Sequence, residues 1–117
     1  MNRISLFVVG VFLLFNCEAI FVENISDQTV ILLAPTNNSE VTSGTIQFNW
    51  EQVLEATAYE IQIATPNFQN ASQISLDFIS IKTSFTKELA AGSYEWRVKA
   101  SNSDYATNYS TNAFIVN

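Results

Sequence analysis

The sequence predicts an all-β fold: a seven-stranded antiparallel β-sandwich, preceded by a signal peptide. Three observations predict it. Several segments alternate apolar and polar residues with a period of two, the mark of strands with one wet face. The breaks between them carry turn chemistry, "PTNNSE", "TSG", "TPNFQNAS", "AAGS" and "SNSD". After the first sixteen residues no segment shows a helical period. Short strands at this spacing in about 90 residues read as a sandwich.

The elements follow in chain order. Residues 1–16 are the signal peptide. Arg3 supplies a positive start, and Ile4 to Phe15 form an apolar run broken only by Ser5 and Gly10. Twelve helical residues reach about 18 Å, short of the roughly 30 Å hydrocarbon core of a bilayer. A buried core helix fits badly, because the run is apolar on every side. Two cleavage schemes remain open. In one, "LFNC" resembles the lipobox of bacterial lipoproteins, including the looser boxes of the Bacteroidetes type. Leu14 then stands three before the cysteine, Phe15 takes a place usually held by a small residue, and Cys17 becomes the lipidated first residue. In the other, "CEA" presents small residues, and cleavage after Ala19 releases a secreted chain with no cysteine. Cys17 is the single cysteine, so no disulfide forms within the chain. Nothing around it would lower a thiol pKa for catalysis.

Residues 17–29 are read as the lipidated N-terminus and its tether, and residues 30–117 as the domain. Within the domain "TIQFNW" turns Ile46, Phe48 and Trp50 to one side. "AYEIQIA" does so with Tyr59, Ile61 and Ile63. In "SYEWRVKA", Tyr94, Trp96, Val98 and Ala100 share one face, and Glu95, Arg97 and Lys99 the other. One wet face favours antiparallel pairing. Weaker strands are expected at Val30–Ala34, Ile74–Ile81, Ser84–Glu88 and Thr111–Val116.

These motifs together resemble a fibronectin type III domain of the kind found in bacterial surface lipoproteins, an immunoglobulin-like fold. "FNW" resembles the family's second strand, "VLEATAYEIQIA" its turn and third strand, and "LAAGSYEWRVKASN" the stretch around its sixth strand. The resemblance covers Leu32 to Val116. Ala91 stands where the family often has proline, and Thr65 to Ile81 follows the pattern more loosely. The resemblance implies a core containing Phe48, Trp50, Tyr59, Leu89, Tyr94 and Trp96. It also implies that the loop before the last strand, "SNSDYATNYST", is placed to touch partners. Tyr105 and Tyr109 in that loop, and Phe68 in "TPNFQNAS", are the candidate ligand-binding residues, as aromatic contacts for protein or glycan. The alternative for the tyrosines is that they fold back to cap the sandwich.

Composition narrows the function. The net charge is −6; without Arg3 it is 4 basic against 11 acidic residues, or −7. That disfavours nucleic acid and electrostatic docking to anionic lipid. The chain has no histidine, which removes the usual general base and metal ligand. No Cys/His metal spacing, calcium loop or phosphate-binding glycine loop occurs. Glu51, Glu55 and Glu60 are the carboxylates that could run acid–base chemistry, and surface solvation is their expected state. Four glycosylation sequons begin at Asn24, Asn37, Asn70 and Asn108. In the bacterial setting that the lipobox implies, they read as products of an Asn/Ser-rich sequence. The expectation is a non-enzymatic cell-envelope protein without metal or cofactor. It is anchored to the outer membrane or cell surface through Cys17 and acts as a binding, adhesion or spacer module. The alternatives are the secreted form and the N-terminal scaffold part of a larger surface enzyme.

Overall fold

The computed structural model describes residues 21–117. The predicted signal peptide and Cys17 lie outside the described residues. Eight strands follow in order: β1 (Leu32–Ala34), β2 (Ser39–Val41), β3 (Gly44–Trp50), β4 (Ala58–Thr65), β5 (Gln73–Ser80), β6 (Ser84–Leu89), β7 (Gly92–Ser101) and β8 (Ser110–Val116). They form a three-stranded sheet, β1-β3-β6, and a five-stranded sheet, β2-β8-β7-β4-β5.

Eight strands replace the seven predicted, and one pairing is parallel. The cause lies at Pro35. Proline has no N–H to give to a ladder, so the first strand stops there. The chain turns through Asn38, which sits in the left-handed region at φ 63°, where asparagine is tolerated. It then joins the opposite sheet as β2, parallel to β8. Three residues are too few to display an alternation, so this strand reads in the sequence as part of a turn.

The core lies between the sheets. Phe48 of β3 is fully buried at its centre. Its ring stacks on Phe85 at 4.7 Å and meets Trp96 and Phe114 edge to face at 5.1 and 5.8 Å. Trp50, Tyr59, Leu89, Tyr94 and Trp96 are buried around it. Three of the large rings have partners for their polar ends, as burial favours, whereas the buried Trp50 Nε1 has none. Trp96 Nε1 donates to Pro35 O, Tyr59 Oη accepts from Val53 N, and Tyr94 Oη donates to Ala90 O. The last bond ties the start of β7 to the turn before it, the tyrosine corner of immunoglobulin-like sandwiches. Gly44 opens β3 at φ 120°, a conformation that side chains rarely adopt.

One pole of the sandwich gathers the loops at 51–57, 81–83 and 102–109; the other gathers those at 42–43, 66–72 and 90–91. The N-terminal segment belongs to the first pole. Ile25 is 1% exposed and Val30 2%, both within the core. Asn102 Nδ2 donates to Glu23 O at 2.8 Å and reaches Glu55 O at 3.4 Å. The packed chain therefore reaches back past the expected boundary at Val30, to Glu23. A single apolar residue among "ENISDQT" carries no period, which is why the sequence suggests a tether here.

Candidate binding face on the five-stranded sheet

The outer face of the five-stranded sheet is built from the polar half of each alternation. Register sets its rows: Glu60 lies opposite Lys99, and Gln62 opposite Arg97, on β4 and β7. Lys99 Nζ is 3.5 Å from Glu60 Oε2, with both side chains about one-third exposed. A pair that wet contributes little stability. Arg97 is held more firmly. Its Nε and Nη2 both donate to Gln62 Oε1, at 2.8 and 2.6 Å.

Two aromatic rings close on that guanidinium. Arg97 Cζ is 3.9 Å from the centroid of Phe68 and 4.2 Å from that of Tyr109. Lys99 Nζ approaches Tyr109 at 5.0 Å. A planar guanidinium suits stacking on rings in a way that a point-charge ammonium does not. Phe68 reaches this position because the β4–β5 loop folds back over the sheet. Phe68 N donates to Glu95 Oε1 at 2.9 Å, Thr65 Oγ1 donates to Ser93 O, and Ser72 N to Thr65 O. Tyr109 enters from the other side, just before β8. Thr107, buried beside it in the chain, fixes the approach: its Oγ1 accepts from Ala100 N and donates to Asn108 O. Partial burial raises the Tyr109 phenol above its ordinary pKa of 10.0, and neighbouring Glu60 adds to the rise. Arg97 opposes it.

The three candidate aromatics thus separate. Phe68 and Tyr109 come together on Arg97, and each gives one ring face to the cation. A sugar or peptide could use only the opposite face. Tyr105 stands apart at the first pole, 37% exposed. Its loop is organised by Asn102, whose Oδ1 accepts from Asp104 N and Tyr105 N. Arg97 and Gln62 were not singled out by the sequence reading. Alternation placed Arg97 on the outer face, but its partners come from the pairing of β4 with β7 and from a returning loop, neither of which has a local signal.

Glu51 and Glu55 are exposed, and Glu60 pairs with Lys99. Among the described residues, no three His, Cys, Asp or Glu side chains gather in a way that could hold a metal ion. Nor is any helix there long and apolar enough to cross a membrane.

No family model matches the chain, and no curated protein matches it. Solved structures do. The fibronectin(III)-like modules of CbhA from Clostridium thermocellum align at 13% identity with a TM-score of 0.55, covering 75% of this chain and 95% of theirs. The human fibronectin type III domain of KIAA0970 aligns at 14% identity with a TM-score of 0.56, covering 79% and 77%. CopC from Methylosinus trichosporium OB3b aligns at 17% identity with a TM-score of 0.51, covering 75% and 93%. At such identities the likeness is one of fold. The chain is a fibronectin type III-like β-sandwich, an architecture that serves many functions.

Proposed function

We propose that the protein is a non-enzymatic module of the bacterial cell envelope: a fibronectin type III-like sandwich, anchored through a lipid on Cys17 and contacting a protein or glycan. One observation carries the reading. The only cysteine of the chain stands where an apolar leader ends, six residues ahead of Glu23, where packing against the sandwich begins. A lone cysteine there serves an anchor better than a core. An acidic domain has no electrostatic affinity for anionic lipid, whereas each buried acyl methylene contributes about 0.8 kcal/mol and more than one chain makes anchoring stable.

The Phe68–Arg97–Tyr109 stack is the contact surface this reading favours. It is tied down by Gln62 and Glu95, central on the open face of the larger sheet, and combines aromatic surface with charge, as interface hot spots do. Tyr105 offers a second, separate contact at the opposite side of the loop.

The deciding experiment is mass spectrometry of the N-terminal peptide from protein isolated in its native host. The expected peptide begins with an acylated Cys17 and comes from the membrane fraction. A peptide beginning at Ile20 in the soluble fraction would replace the anchored module with a secreted one.

A further inference from the structure

Single exposed apolar side chains are ordinary on a folded surface; their gathering in one place is not. Among the described residues, the three most exposed large apolar side chains are Phe21 at 85%, Ile81 at 81% and Leu54 at 78%. All three belong to the pole from which the N-terminal segment leaves. Phe21 and Leu54 line one hollow there. Ile81 lines another, with Gln52 and Ala56 of the loop that carries Leu54. The loops of the other pole, 42–43, 66–72 and 90–91, hold no exposed large apolar residue, and their one ring, Phe68, is folded onto Arg97.

The loops that present Leu54 and Ile81 are tied down with those side chains outside. Val53, buried beneath the Leu54 turn, donates its N–H to Tyr59 Oη and accepts from Ala56 N. Asn102 Nδ2 reaches Glu55 O from the neighbouring loop. Next to Ile81, Lys82 N donates to Ser80 Oγ, and Thr83 O accepts from Trp50 N.

We propose that this pole seats on a bilayer of zwitterionic lipid, with Phe21, Leu54 and Ile81 dipping into the boundary between headgroups and acyl chains. This rests on the lipid anchor proposed above for Cys17. Chain length selects the occupant. Phe21 follows Cys17 by four residues, which span about 14 Å at full extension. An anchor that close holds the pole at the bilayer surface. It supplies the high effective concentration that a few side chains lack by themselves. Charge selects the lipid. The exposed carboxylates of this pole are Glu23, Asp27, Glu51, Glu55 and Asp104, against one cation among the described residues of its loops, Lys82. Anionic headgroups would repel that set, and so would the same pole of a second copy.

The test supplies the anchor chemically, which separates seating from acylation in the native host. A chain beginning at Cys17 keeps every core residue from Ile25 onward. Its single thiol is coupled to one maleimide-bearing chain of myristoyl length, whose own membrane binding is marginal. Partition onto phosphatidylcholine vesicles is then measured by co-sedimentation. Wild type is expected to bind about tenfold more tightly than Leu54→Ser with Ile81→Ser, because burying large aliphatic side chains even in part has that effect. Both positions are exposed, so the double variant should remain folded by circular dichroism. Gln69→Leu, which adds an apolar side chain to the other pole, should leave binding unchanged. Phosphatidylglycerol in the vesicles should weaken wild-type binding at low salt. Equal binding of wild type and the double variant overturns the proposal, because the pole then hangs near the bilayer without entering it. Tighter binding to the anionic vesicles overturns the choice of lipid. Self-association of the uncoupled, reduced chain that the double variant abolishes, with vesicle binding unchanged, would give the pole to a second copy instead. A native chain beginning at Ile20 would remove the anchor, and seating in the cell with it, whatever the coupled chain does.

Discussion

Arg97 joins three parts of the chain that lie far apart in sequence: Gln62 on β4, Phe68 in the next loop and Tyr109 before β8. Removing its guanidinium loses two hydrogen bonds and two ring contacts together. Arg97→Ala should therefore cost about 1–3 kcal/mol of stability, since partly desolvated cation–π contacts contribute about 0.5–2 kcal/mol each. Arg97→Lys should restore less than half, for want of a plane to stack. Urea denaturation of Phe68→Ala, Arg97→Ala and the double variant checks this as a cycle. A coupling of about 1 kcal/mol is expected, and additive losses would show that ring and cation do not interact. Tyr109 gives a second handle. Burial and Glu60 raise its pKa when folded, so the neutral phenol is favoured by folding. That contribution is complete below the unfolded value near 10 and disappears as pH climbs through the raised folded value. Glu60→Gln should bring the Tyr109 transition back toward 10 in an ultraviolet titration, with Tyr109→Phe identifying which transition belongs to it. An unmoved transition would mean that Glu60 does not act on the phenol.

At the scale of elements, the segment before β1 is a structural part of the sandwich. Ile25 is buried beside Val30 in the core, so Ile25→Ala should cost about 2–5 kcal/mol, the range for truncating a buried isoleucine. A freely hanging tether would make the same substitution silent in thermal or urea unfolding. Asn102→Ala should speed amide exchange in residues 23–28 by removing the bond to Glu23 O, while leaving β3 and β7 protected. What the sequence shows and hides at this scale has a physical basis. β3, β4 and β7 each bury one face and wet the other over seven or more residues, and that writes a legible alternation. β2 has three residues, and its existence depends on β8 lying alongside. The Ile25 segment has one anchoring side chain and no period. Phe68 and Tyr109 could be picked out as aromatics in polar loops, but the cation between them could not. Its place depends on the β4–β7 register and on a loop returning over the sheet.

For the whole molecule, the polarity of the sandwich bears on how an anchored domain stands. The N-terminal segment leaves from the pole that carries Leu54 and Asp104, and the 66–72 and 90–91 loops lie at the other. Ten residues of β7 separate the poles by about 33 Å at roughly 3.3 Å per residue. Packing of Glu23 leaves five residues, 18–22, between Cys17 and the sandwich, and these reach about 18 Å at full extension. If Cys17 carries the proposed lipid, a tether shorter than the domain would bias it to stand with its first pole toward the membrane. Cys17 is the only cysteine, and acylation would consume its thiol, so an introduced cysteine becomes a clean attachment point. Fluorophores placed through Leu54→Cys, Asp104→Cys, Gln69→Cys and Ala91→Cys, all at exposed positions, would report depth in phosphatidylcholine vesicles carrying a lipid-borne quencher. The expected outcome is several-fold stronger quenching at 54 and 104 than at 69 and 91. Equal quenching at all four would show that the domain tumbles freely on its anchor. The outer face of the larger sheet and the Phe68–Arg97–Tyr109 stack would then have no fixed direction relative to the membrane. Unequal quenching would instead direct the search for a partner: the stack lies on the flank of an upright domain, within reach of a neighbour at the same surface, and Tyr105 faces the bilayer.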